Sequence, residues 1–268
     1  MLRRCLRRCT PQDAVFETQN DGKLGILRLH RPEKLNAFSV PMCDVIKSSA
    51  SAISQPDSKI RTLIITGDVR SFSAGKDLKA SLQHTEEEAA EYYDATVGAI
   101  KALLGVPVPI IAGIERVCLG LGLELALTAD IRIASASCKI GFPEINLSLF
   151  PGCGGAVLLP LLLGNVSVAS DLILTGRQLS AQEAQELGLV SRIVPDGSSL
   201  DECISLAQPL LTKERDLLIK TKQVIKYAFN RELNNGPWMN LSEKYRTELG
   251  KSQAHLSALN NFVNRKHR

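Results

Sequence analysis

The chain has 268 residues, of which 44% are hydrophobic and 22% charged, enough for one large core or two small ones. No apolar run reaches the roughly 18 to 20 residues needed to span a bilayer, because Glu124 and Asp130 interrupt the best candidate. The formal net charge of +4 comes entirely from Arg3, Arg4, Arg7 and Arg8: without them 28 basic residues face 28 acidic ones, a neutral balance that argues against a broad nucleic-acid-binding field.

Placed on a helix, the leader MLRRCLRRC gathers Leu2, Cys5, Leu6 and Cys9 on one arc and the four arginines on the other, with no acid before Asp13. An Arg-rich, acid-free, amphipathic start predicts a mitochondrial presequence over residues 1–12 rather than a secretory signal, and with it a location in the matrix. Seven cysteines, at positions 5, 9, 43, 118, 138, 153 and 203, include no C-x-x-C pair and no His at metal spacing. They are expected to be free thiols in a reducing compartment.

Residues 15–20 and 25–29 read as two strands around the turn signal Asn20-Asp21-Gly22. After HRPEKLNAF, the apolar spacing of Val45, Ile46, Ala50 and Ile53 predicts a helix over 40–54, and RTLIIT a buried strand over 61–66. Gly75 marks a tight loop, with Asp77 placed to cap a following helix. Residues 86–104 read as a long helix whose three leading acids suit the helix dipole. A strand is expected at 110–114, a helix at 120–128, and short strands at 131–134 and 139–142. Helices follow at 155–163, 166–173 and 181–187, the last opened by a capping box of Ser180 and Glu183, then a strand at 190–194. Helices alone follow from residue 199. The pattern predicts an α/β fold, with a core over residues 13–198 and a helical C-terminal region over 199–268.

Two carboxylates, Glu124 and Glu144, stand twenty residues apart in apolar surroundings. If the fold brought them together, burial would perturb their pKa values, as acid and base work on one substrate requires. On the residues alone, Glu124 could instead face a helix dipole or pair with an arginine, and Glu144 could be a turn residue. A dinucleotide-binding reading of Gly120-x-Gly122 fails, because Leu125 occupies the third glycine position.

Five segments in this order, HRPEKLNAF, FSAGKDLK, LGLGLELALTADIRIA, GFPEINLSLFPGCGG and LTGRQLSAQEAQELGLV, give the chain its resemblance to the enoyl-CoA hydratase/isomerase (crotonase) superfamily over about residues 15–266. The resemblance implies a crotonase-like spiral of ββα units, a helical C-terminal oligomerisation region, an acyl-CoA substrate and a homotrimer or dimer of trimers. Neither metal nor redox cofactor is implied, since coenzyme A belongs to the substrate. The chain looks most like a mitochondrial enoyl-CoA hydratase: Glu124 would hold and deprotonate the water that adds to Cβ, and Glu144 would deliver a proton to Cα. Backbone amides of Lys76 and Leu121 would form an oxyanion hole for the thioester oxygen. The same resemblance puts Lys34, Leu35, Ala37, Ala74, Gly75, Asp77, Leu78, Lys79, Gly120, Gly152, Phe262 and Arg265 against the substrate. It leaves pocket depth to the segment 82–97 and to Leu147 and Phe150. An enoyl-CoA delta-isomerase, a 3-methylglutaconyl-CoA hydratase, or a non-catalytic or RNA-binding member stand as alternatives. Three departures bear on these: Lys76 where the family more often has Ala, Leu121 where Gly is more usual, and Glu115-Arg116 where Asn-Gly is usual. Leu121 disfavours a positive φ, and Glu115-Arg116 is expected to tilt the loop leading to that amide.

Overall fold

The structure, a computed structural model, describes residues 13–229 together with Gln253. The presequence expected over residues 1–12, and Phe262 and Arg265, lie outside the described residues. The first hairpin pairs β1 (Ala14–Gln19) with β2 (Leu24–Leu29), in register from Ala14 opposite Leu29 to Gln19 opposite Leu24. Its turn needs Asn20 and Asp21 at φ 53° and 56°, conformations that short polar side chains tolerate. Helix α1 (Val40–Ser54) starts where Ser39 accepts a hydrogen bond from the Met42 amide.

Strand β3 (Thr62–Thr66) leads through the one-turn helix α2 (Leu78–Ser81) into α3 (Glu86–Leu104). Helix α3 opens with a capping box, Thr85 and Glu88 each receiving the other's backbone N–H. The chain then alternates between two sheets. Strand β4 (Ile110–Ile114) joins the large sheet, β5 (Val117–Leu119) the small one, and α4 (Leu121–Ala126) returns the chain. Strands β6 (Ile131–Ser135) and β7 (Lys139–Gly141) repeat the step, followed by α5 (Gly155–Leu163) and α6 (Val166–Thr175). Strand β8 (Gln178–Ser180), α7 (Ala181–Glu186) and β9 (Arg192–Val194) complete it, before α8 (Ser199–Leu211) and α9 (Arg215–Phe229). This is a spiral of ββα turns. The large sheet runs β1-β2-β3-β4-β6-β9, parallel from β2 onward; the small sheet runs β5-β7-β8.

Both faces of the large sheet are covered, which is why β3 is buried at every position and carries the unbroken apolar run Leu63-Ile64-Ile65 rather than an alternation. Leu63 and Ile65 face the main core with α1 and α3, whereas Ile64 joins Leu24, Ile26, Ile111 and Ile133 in a second cluster sealed by Cys203, Ala207 and Leu211 of α8. Helix α8 approaches so closely that a Cβ on Gly113 of β4 would lie 3.0 Å from the Cys203 Sγ. Glu115, expected to disturb the loop toward Leu121, does something else. Its carboxylate accepts the Gly197 and Ser199 amides, each at 3.0 Å, at the start of α8. Arg116, at φ 47°, pairs with Asp196 across 3.6 Å. The dipeptide therefore fastens α8 to the end of β4. Helix α9 is tied down by Lys222, whose buried ammonium donates to the Val108 carbonyl at 2.8 Å and meets Asp130 at 2.6 Å.

Candidate active site

The site grows from the junction between β5 and α4. Gly120 caps α4 with φ 54° and ψ −126°, a conformation that falls to the glycine and leaves Leu121 free to begin the helix. The positive φ feared at Leu121 thus belongs to its neighbour. Gly75, at φ 90°, packs against the same turn: a Cβ there would come 2.6 Å from the Leu119 carbonyl oxygen and 3.1 Å from the Leu121 nitrogen. Two glycines therefore let the turn that precedes Lys76 pack directly against the turn that precedes Leu121. As the first residue of a helix, Leu121 has an N–H with no intrahelical acceptor.

Glu124 lies in the first turn of α4 and is 2% exposed. Its Oε1 accepts hydrogen bonds from the Cys153 and Gly155 amides, both 2.8 Å long. Burial raises its pKa, and these two N–H groups oppose the rise by stabilising the carboxylate. Gly155 is required for this approach, because a Cβ there would stand 2.7 Å from the Phe142 ring and 2.9 Å from Glu124 Cγ. Among the described residues no arginine or lysine pairs with Glu124.

Glu144 sits in the 3-10 turn Pro143–Leu147 that follows β7. A Cβ on Gly120 would fall 2.7 Å from its Oε1, so the glycine turn and this carboxylate are in contact. Its Oε2 is buried without a hydrogen-bond partner. Burial chiefly, with help from the negative charge of Glu124, pushes the carboxyl up to about 7. The two carboxylates share one cavity of about 260 Å³. One is fixed by amides as an acceptor; the other holds a proton far more readily than an ordinary carboxyl. An acceptor and a donor facing one apolar space are equipped to take a proton from one atom of a substrate and give one to another.

Ala74, Lys76, Leu78, Gly120, Leu121 and Gly152 line this cavity beside the two glutamates. The remaining wall is α3, through Ala89, Tyr92, Tyr93 and Thr96, and the segment carrying Leu147, Leu149, Phe150 and Cys153. The range 82–97, Leu147 and Phe150 were expected there; the i, i+3, i+4 and i+7 spacing of Ala89, Tyr92, Tyr93 and Thr96 is the signal that resolves the α3 residues. Lys34, Leu35 and Ala37 do not reach the cavity wall. Their loop docks beside it, through Ala74 N–H to the Leu35 carbonyl and Phe38 N–H to the Gly75 carbonyl, each 2.9 Å. Asp77 is committed elsewhere. It caps α2 at the Ala80 amide and meets Arg31 at 3.2 Å and Lys34 at 3.8 Å, which lowers its pKa despite burial. Lys79 is exposed on α2, outside the wall. Asp77 thus serves as a cap and Lys79 stands on the surface, both outside the cavity wall.

Comparison with known proteins places this geometry in context. The enoyl-CoA hydratase/isomerase family matches residues 19–267. The chain is 36% identical over 227 residues to a protein of Mycobacterium bovis named probable enoyl-CoA hydratase, covering 83% of this chain and 86% of that one. It is also 36% identical over 187 residues to the mitochondrial methylglutaconyl-CoA hydratase of Mus musculus, covering 69% of this chain and 59% of the mouse protein. Among solved structures, the enoyl-CoA hydratase of Bacillus anthracis superposes with a TM-score of 0.87 at 27% identity, over 95% of this chain and 97% of that one.

Proposed function

The chain belongs to the enoyl-CoA hydratase/isomerase family, and from that premise we propose that it is an enoyl-CoA hydratase, a hydro-lyase adding water across the 2,3 double bond of an enoyl-CoA thioester. The observation that carries the reading is the pair of unlike carboxylates in one cavity. The thioester oxygen lies at the Lys76 and Leu121 amides, fixed donors that stabilise the charge developing there as the enolate forms. Glu124, held by two N–H groups on Oε1, accepts a proton from water as the oxygen bonds to Cβ. Glu144 gives its proton to Cα, a role suited to a carboxyl whose pKa is pushed up to about 7. The π bond between C2 and C3, one O–H bond of water and the O–H bond of Glu144 break, C–O, C–H and Glu124 O–H bonds form, and no electrons leave the system. The reaction draws on no metal or redox cofactor, and coenzyme A enters as part of the substrate.

The test is the product formed from crotonyl-CoA. Hydration gives a thioester one water heavier than the substrate, whereas isomerisation, the runner-up, leaves the mass of a 3-enoyl substrate unchanged. No water gain on crotonyl-CoA or on longer and branched enoyl-CoAs contradicts the proposal.

The same reading makes the protein a homotrimer or dimer of trimers in the mitochondrial matrix. Exposed Val157 and Leu161 on α5, and Val166 and Leu174 on α6, support assembly, because exposed apolar side chains near one another mark interaction surfaces. Sedimentation at three or six chain masses is the expected result. The Arg-rich leader, and the mitochondrial designation of a Dictyostelium discoideum relative 35% identical over 225 residues, support the location.

A further inference from the structure

Among the described residues, Lys76 is the only cation on the cavity wall. Its ammonium lies 5.8 Å from the centre of the Tyr92 ring, and among the described residues it makes no ion pair. A ring face attracts a cation but does not neutralise it. Tyr92 supplies a second, independent observation. The residue is 7% exposed, lines the same cavity, and has its hydroxyl buried against the Asp77 backbone. An ammonium without a counter-ion, held beside a tyrosine ring on the wall of a cavity, is a set suited to an anionic group. Thr96, one turn further along α3, faces the same space, its hydroxyl bonded to the Tyr93 carbonyl.

We propose that Lys76, with Tyr92, forms a subsite for a carboxylate at the far end of the acyl chain, so that the preferred substrates are enoyl thioesters of short dicarboxylic acids. This rests on the hydration proposed above and adds the substrate class. The backbone of Lys76 and its side chain serve opposite ends of one ligand. With the thioester oxygen at the Lys76 amide, a chain running toward α3 passes alongside the lysine's own side chain. A five-carbon diacid spans nearly as many bonds from C1 to its far carboxyl as lysine does from Cα to Nζ. The ammonium also offsets the repulsion that a carboxylate would meet from Glu124 and Glu144. A cation here could alternatively meet a phosphate of coenzyme A, and the two sources of negative charge separate by experiment.

The full chain and its Lys76→Met, Lys76→Arg and Tyr92→Phe variants are titrated calorimetrically with glutaryl-CoA and butyryl-CoA, saturated thioesters that bind without reacting. The expected result is tighter binding of glutaryl-CoA by the parent protein, lost by about ten- to thirtyfold in Lys76→Met, partly in Tyr92→Phe, and retained in Lys76→Arg, with butyryl-CoA almost unaffected. Equal weakening of both thioesters in Lys76→Met assigns the cation to coenzyme A and overturns the inference, as does equal affinity of the parent for the two. Turnover of crotonyl-CoA by the parent is read separately. Its absence strikes the hydration reading, while the binding preference stands or falls on its own.

Discussion

At the scale of single residues, the chemistry depends on how differently two carboxyls are housed. Glu124 accepts two amide hydrogen bonds on one oxygen, whereas Glu144 keeps a buried oxygen with none. The pKa of Glu144 is therefore raised to about 7, chiefly by burial. On the proposed mechanism Glu144 donates the proton, so the active form is the protonated one. The value of kcat/KM for hydration is expected to fall as pH rises through about 7, and Glu144→Gln should abolish that limb; a profile flat from pH 6 to 8 would assign the donor elsewhere. The sequence shows both glutamates and their spacing. It does not show that Gly120 and Gly155 make room for them, since a glycine's role emerges only once the atoms its missing Cβ would strike are known. Nor does it separate Asp77, occupied by its cap and by Arg31, from residues that face the cavity.

At the scale of elements, the long helices α1 and α3 were legible because each carries several turns of apolar periodicity and a clear start. The three-residue strands β5 and β8 were not, although the equally short β7 and β9 were read within the longer apolar runs at 139–142 and 190–194. Missing β5 hid the reason for Glu115-Arg116. Between β4 and β5, Glu115 caps α8 from 82 and 84 residues away in sequence, a contact that no local pattern reveals. Glu115→Ala should leave those two amides without their acceptor and cost about 1–3 kcal/mol, seen as a lower denaturant midpoint at unchanged slope. Unchanged stability would show that water replaces the carboxylate.

At the scale of the whole molecule, the sequence implied an α/β chain, and the order of its motifs implied the spiral. The two-sided burial of the large sheet needed the structure, because an apolar run such as RTLIIT reads alike in a buried strand and a buried helix segment. Ile64 stands on the side closed by α8 and is fully buried there. Ile64→Ala is expected to destabilise the protein by about 2–5 kcal/mol through the cavity it leaves, measured by thermal or urea unfolding. A smaller loss would mean that α8 can settle into the gap. The arrangement of sheets and helices brings β5, α4 and the turn after β7 to the same apolar space, which residues 76, 121, 124 and 144 all line. The most direct test is the loss of enoyl-thioester absorbance when the full chain, Glu124→Gln and Glu144→Gln are each given crotonyl-CoA. The account predicts turnover by the parent and a drop of about a hundred- to ten-thousandfold in each variant. Parent-like hydration by either variant would contradict it.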